Sequence, residues 1–174
     1  MKNIKNIFFF MLLLTGCECD DVIEEPSSGL PPISETGKDF IAFKLNEEIF
    51  IADGYYQYSE YNDNGTPFYF MINAEEDFNR REVKQFFNLK FFDEISQGDS
   101  ILLNQNQGID FEFNNVYPTP QVIYTHENIV DGYVKFSKVD HETFIISGTF
   151  DMTLEKEGFK TLEIKEGRFD FKYK

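Results

Sequence analysis

Residues 142–155 read ETFIISGTFDMTLE, and their alternation decides the fold class. Phe144, Ile146, Gly148, Phe150, Met152 and Leu154 share one parity. Thr143, Ser147, Thr149, Asp151, Thr153 and Glu155 share the other, with Ile145 the single apolar exception. A period of two with one apolar and one polar side marks a strand of an antiparallel sheet, half on a core and half in water. Residues 156–160 (KEGFK) then make a turn around Gly158, and a partner strand follows. In that partner Leu162 and Ile164 are even-numbered, whereas Phe169, Phe171 and Tyr173 are odd-numbered. A one-residue shift exchanges the faces of a strand. A β-bulge is therefore expected at Glu166-Gly167, with Gly167 supplying a positive φ.

Working outward, similar alternation recurs along the chain. Ile41, Phe43 and Leu45 alternate, and residues 46–48 turn into Ile49, Phe50 and Ile51. Residues 55–61 are Tyr-rich and are followed by NDNGT at 62–66, whose Asn-Gly is the signature of a type I′ turn. Phe68, Phe70 and Ile72 share a parity, as do Phe87, Leu89 and Phe91 in the next strand, which begins at Val83. Further strands are expected over 98–104, 109–113, 121–125 and 132–137, and only residues 74–82 read as a short helix. The sum is an all-β domain of roughly ten short strands, an antiparallel β-sandwich. The alternative is an up-and-down, lipocalin-like barrel. The sandwich is favoured because a barrel interior lined by many of the chain's 21 Phe would be crowded.

The N-terminal residues read as an address. Lys2 and Lys5 precede IFFFMLLL at 7–14, and eight apolar residues fall short of the about 20 needed to span a bilayer. Residues 1–16 are thus expected to be a signal peptide. They end in Leu14-Thr15-Gly16-Cys17, which resembles a bacterial lipobox, and so Cys17 is the expected lipidation site. Cys19 is the one other cysteine; Glu18 precedes it where a small residue is needed, and a bridge across one residue is strained. Residues 17–38 are expected to be the lipidated Cys and an acidic, disordered tether, and residues 39–174 a single all-β domain. The tether carries Glu18, Asp20, Asp21, Glu24, Glu25 and Glu35 without a cation before Lys38, and Pro26, Pro31 and Pro32 oppose helix and strand pairing. Acidic residues directly after the lipidated Cys resemble the surface-export signal of Bacteroidota lipoproteins.

The net charge of −15 excludes nucleic acid, which needs a basic patch, and excludes docking on anionic lipid through clustered Lys and Arg. Removing residues 1–16 leaves 14 cations against 31 anions, so the membrane contact is expected to be the acyl chains on Cys17.

No catalytic constellation stands out, and neither a metal nor a cofactor is expected. His126 and His141 read as exposed loop residues outside any H-E-x-x-H motif, and none of the eight serines lies in a G-x-S-x-G elbow. Glu60-x-Asn62-x-Asn64-Gly65 mimics the start of a calcium loop, but Met71 stands where the bidentate carboxylate belongs, and so it reads as a hairpin turn. Asp99-Ser100-Ile101 resembles the tripeptide that Bacteroidota O-glycosylate, which makes Ser100 a candidate modification site; the plain reading is a strand-entry turn. Tyr55, Tyr56, Tyr58, Tyr61 and Tyr69 form the densest Tyr cluster, either a binding patch or a half-exposed sheet face.

Three stretches carry a resemblance: LPPISETG at 30–37, FIAFKLN at 40–46, and the pair SGTF (147–150) with GRFDFKY (167–173). Together they resemble a family of small uncharacterised Bacteroidota lipoproteins, which usually has Asn-Gly where this chain has Asn46-Glu47. The resemblance implies an outer-membrane lipoprotein address and assigns no activity. The expected function is a non-enzymatic, membrane-anchored binding module for a glycan or an envelope protein at the cell surface. The alternatives are a lipocalin-like carrier of a small apolar ligand and a carboxylate-based hydrolase.

Overall fold

The computed structural model describes residues 29–53, 57–62, 69–78, 83–105, 107–117 and 121–173. Their strands are β1 (Phe40–Leu45), β2 (Glu48–Asp53), β3 (Gln57–Asn62), β4 (Tyr69–Phe78), β5 (Val83–Phe91), β6 (Ser100–Leu102), β7 (Ile109–Tyr117), β8 (Val122–Thr125), β9 (Ile129–Asp140), β10 (Ile145–Leu154) and β11 (Leu162–Lys172). A 3-10 turn, His126–Asn128, joins β8 to β9. The strands form two sheets, ordered β2-β1-β11-β10-β9-β6 and β3-β4-β5-β7-β8, with antiparallel pairing throughout. Among the described residues no edge strand pairs with the other sheet. The sheets stay open and stack as a sandwich, and the lipocalin-like barrel is not formed.

Phenylalanine fills the space between the sheets. Phe43 of β1 stacks on Phe50 of β2 at 4.3 Å between ring centroids and meets Phe87 of β5, across the sandwich, at 5.5 Å. Phe150 of β10 lies 5.5 Å from Phe87, and Phe91 of β5 meets Phe136 of β9 edge-on at 5.4 Å. The contacts across the sandwich are tilted or edge-on, arrangements that suit the ring quadrupole, and the rings meet between the sheets at this point.

Residues 74–82 do not form a helix as far as they are described. β4 runs on to Phe78, with Ala74, Glu76 and Phe78 paired to Phe87, Gln85 and Val83 of β5. Helix propensity separates most residues by less than about 1 kcal/mol, and a continuous ladder on β5 outweighs it. Residues 79–82 lie outside the described residues.

The bulge in β11 is where the parity flip puts it. Phe150 pairs with Gly167 and Met152 with Ile164, while Ala42 pairs with Arg168 and Lys44 with Lys165. Both neighbours of β11 thus lose one residue of register at the same place. The positive φ falls on Glu166 (53°) and not on Gly167. Gly167 is needed for another reason: a Cβ there would stand 2.5 Å from the Phe150 carbonyl oxygen and 2.7 Å from its ring.

Phe144 is the second departure from the alternation. It precedes β10 at φ 58° in the β9–β10 turn, is exposed, and sets its ring edge-on to Tyr173 at 5.9 Å. The hairpin between β1 and β2 is a two-residue turn, Asn46 and Glu47, with φ of 46° and 72°. Two positive φ values are what a type I′ turn requires. In the β3–β4 hairpin the pairing ends at Asn62↔Tyr69, and the Asn64-Gly65 signal lies outside the described residues.

Candidate functional site

The outer face of the six-stranded sheet is not left to water. Residues 29–38 cross it as a strap, so the folded unit begins before the expected boundary at residue 39. Because Phe169 and Phe171 point into the core, Arg168 and Asp170 of β11 point out beneath this strap. The N–H groups of Thr36, Gly37 and Lys38 donate to the Asp170 carboxylate at 3.1, 2.8 and 3.2 Å, and the Ser147 hydroxyl donates to it at 2.7 Å. Arg168 Nη1 donates to the Pro31 carbonyl at 2.9 Å, and Lys138 Nζ donates to the Glu35 carbonyl at 3.2 Å.

Asp170 has no solvent exposure. Burial pushes its carboxyl upward, but the Ser147 and Ser34 hydroxyls and the Gly37 and Lys38 N–H groups outweigh this, and the net shift is downward. The strap also accounts for apolar residues on the wet parity. Ile145 is only 7% exposed and lies outside the inter-sheet core, next to Gly37. Phe40 and Ala42 of β1 are buried outside that core as well.

Where the strap meets the β11 bulge, the surface dips into an open recess of about 490 Å³. Ile33 comes from the strap, Tyr133 from β9, Thr149 and Asp151 from β10, and Glu166, Gly167 and Arg168 from β11. The sheet register sets this grouping: Tyr133 is the cross-strand partner of Asp151, and Thr149 is that of Arg168. The bulge turns Glu166 toward Asp151, whose Oδ1 accepts the Glu166 N–H at 2.9 Å.

Burial raises the Asp151 carboxyl above its ordinary range, against hydrogen bonds from the Glu166 and Gly167 N–H groups and the nearby charge of Lys165. Burial, and then the charge of Asp151, raises the Tyr133 phenol. Glu166 is ion-paired with Lys44 and half open to solvent, and the buried Arg168 guanidinium is held by the Pro31 and Glu166 carbonyls. The two acids of the recess are therefore not a pair of apposed buried carboxyls. The arrangement offers hydrogen-bond acceptors, hydroxyls and an aromatic face around a nearly balanced charge.

The expected site residues fall elsewhere. Cys17, Tyr55 and Tyr56 lie outside the described residues. Tyr58 and Tyr61 are in β3 and Tyr69 opens β4; the ladder puts Tyr61 out of phase with Tyr58 and Tyr69. Ser100 is exposed at the start of the edge strand β6, on the far side of β9 from β10. His126 is half-buried and its Nε2 donates to the Leu103 carbonyl at 2.9 Å, a structural tie between the 3-10 turn and the end of β6. His141 is exposed in the β9–β10 turn, with Nδ1 2.7 Å from the Tyr173 hydroxyl.

Tyr133, Asp151 and Arg168 were not singled out by sequence reasoning. The available signals were Ile145 on a wet parity and alternating opposite charges at Arg168 and Asp170, both pointing to a covered outer face. Among the described residues, no three or more His, Cys, Asp or Glu side chains are grouped to hold a metal ion. Among them, too, no helix is long and apolar enough to cross a membrane. No protein-family model matches the chain, and neither a curated protein nor a solved structure matches it.

Proposed function

We propose that this chain is a lipid-anchored binding module of the outer membrane, displayed at the cell surface, that takes its ligand in the recess between the strap and the β11 bulge. The observation that carries the reading is the position of the strap, between the expected lipidation site and the recess. The strap that forms one wall of the recess through Ile33 is the direct continuation of the segment behind Cys17. Twelve residue steps separate Cys17 from Gly29, a contour of at most about 40 Å. An acyl anchor at Cys17 therefore holds the recess close to the bilayer surface. The lipobox, the acidic residues behind it and the resemblance to Bacteroidota lipoproteins support the address. Ser100, exposed at the start of the edge strand β6, is the candidate O-glycosylation site.

Intact mass of the native protein, compared with the Cys17→Ala and Ser100→Ala variants, tests the address and the modification together. The native chain is expected to lack residues 1–16 and to carry acyl mass that Cys17→Ala abolishes. Protease added to intact cells should degrade the domain. Unmodified Cys17, or full protection in cells, would overturn the surface-anchored reading.

A further inference from the structure

We propose that the recess over the β11 bulge is a subsite for a neutral sugar ring, with Tyr133 against its C–H face and Asp151 and Thr149 holding its hydroxyls. This rests on the binding reading above and names the class of ligand.

Charge selects the class first. Two carboxylates, Asp151 and Glu166, line the recess with one guanidinium, Arg168, and Lys44 is paired with Glu166. An anion would have to settle beside Asp151 and Glu166. A cation would have to approach Arg168, Lys44 and, across from Lys44 in β11, Lys165. A neutral polyhydroxyl compound meets neither repulsion and can use both donors and acceptors.

The individual groups point the same way. Among the described residues the Asp151 carboxylate has no ion-pair partner; it accepts the Glu166 N–H on Oδ1 and a further hydrogen bond from the Gly167 N–H, so its donors are backbone groups. A partly desolvated carboxylate gains most from hydroxyl donors, because hydrogen bonds to a charged acceptor are about twice as strong as neutral ones. Thr149 stands two residues away on the same face of β10 and adds a hydroxyl that donates or accepts.

Tyr133 lies directly across from Asp151 and is 37% exposed, so part of its ring is open to a ligand. Its partner on the opposite side, the exposed Leu102 of β6, prolongs the apolar strip. Same-strand spacing of about 7 Å and cross-strand spacing of about 5 Å put these three side chains around an area the size of a pyranose. The volume, about 490 Å³, lies within the range of small-molecule sites, ~300–1,000 Å³.

The test is saturation-transfer NMR on the full-length protein in detergent micelles. The probes are a panel of methyl pyranosides covering both configurations at C2, C3 and C4, with methylammonium and inorganic phosphate alongside. At least one pyranoside is expected to receive saturation, and Asp151→Asn and Tyr133→Ala are each expected to weaken it tenfold or more. Phe159→Ala, on an exposed turn outside the recess, is expected to leave it unchanged. Thermal unfolding of each variant shows whether it is folded; should Tyr133→Ala not fold, Tyr133→Leu replaces it.

Binding that survives both recess variants would overturn this site. Saturation of methylammonium or phosphate alone would overturn the sugar class while leaving the recess as a binding site. No transfer to any pyranoside would also overturn the sugar proposal. Loss of the binding reading itself is separate: it follows if photo-crosslinkers placed at Ile33 and Tyr133 capture no ligand or protein on cells.

Discussion

Glu47 holds φ 72° at the second central position of the β1–β2 turn, a conformation that costs a non-glycine residue about 1–2 kcal/mol. Asn46 makes the turn tolerable. Its Oδ1 accepts the Glu163 N–H at 2.8 Å and its own N–H donates to the Glu163 carbonyl at 2.9 Å, so the turn is fastened to the start of β11. Glycine at position 47 would remove the strain and lose part of the gain to unfolded-state entropy, roughly 0.5–1 kcal/mol. Glu47→Gly is therefore expected to stabilise the domain by about 1 kcal/mol, read as a higher urea midpoint at unchanged slope. Gly167 illustrates the converse. Its place in the parity flip is legible from Ile164 and Phe169, but the contact that demands glycine, with the Phe150 carbonyl, belongs to a neighbouring strand.

Among the elements, the strap depends most on one ionised group. Three consecutive N–H groups and the Ser147 and Ser34 hydroxyls converge on Asp170, and they favour the carboxylate over the protonated acid. The carboxyl is depressed in the folded protein, so the docked strap binds fewer protons than the released one. Its contribution is complete above the ordinary carboxylate range and is lost as pH falls through the lowered value. Asp170→Asn keeps the shape, removes the charge and turns an amide toward backbone donors. It is expected to lower stability by about 2 kcal/mol at pH 7, the scale of hydrogen bonds to a buried charge. The gap between variant and wild type should close as the pH is lowered below the Asp170 value, as followed by unfolding midpoints against pH. Glu-C protease at neutral pH should cut after Glu35 faster in the variant.

For the molecule as a whole, stability resides in the Phe layer and in its closure by β1 against β11. Phe43 is fully buried and contacts Phe50, Phe87, Phe113 and Phe150, drawn from both sheets. Phe43→Ala is expected to cost about 3–5 kcal/mol, since the surrounding strands cannot collapse onto the space left. Phe159→Ala, at an exposed turn, should change stability by less than about 0.5 kcal/mol. Chemical denaturation of the two variants side by side gives the comparison. The β1–β11 pairing joins residues near 41 to residues near 169, and such non-local ladders fold slowly because loop closure precedes the reward.

The sequence by itself determined which residues alternate, and hence that the chain is all-β, that β10 and β11 form a hairpin, and that β11 carries a bulge near Gly167. Side-chain period is a local property of the backbone, so it survives in the order of residues. The same order left residues 29–38 as tether, 74–82 as helix, and Phe144 as core. Each of these depends on what a neighbouring strand offers: Asp170 and Arg168 to the strap, β5 to β4, Tyr173 to Phe144. The recess is likewise a tertiary product. Tyr133, Asp151 and Arg168 stand on three strands, and only the register that brings β9, β10 and β11 side by side, with the bulge between two of them, puts their groups around one space.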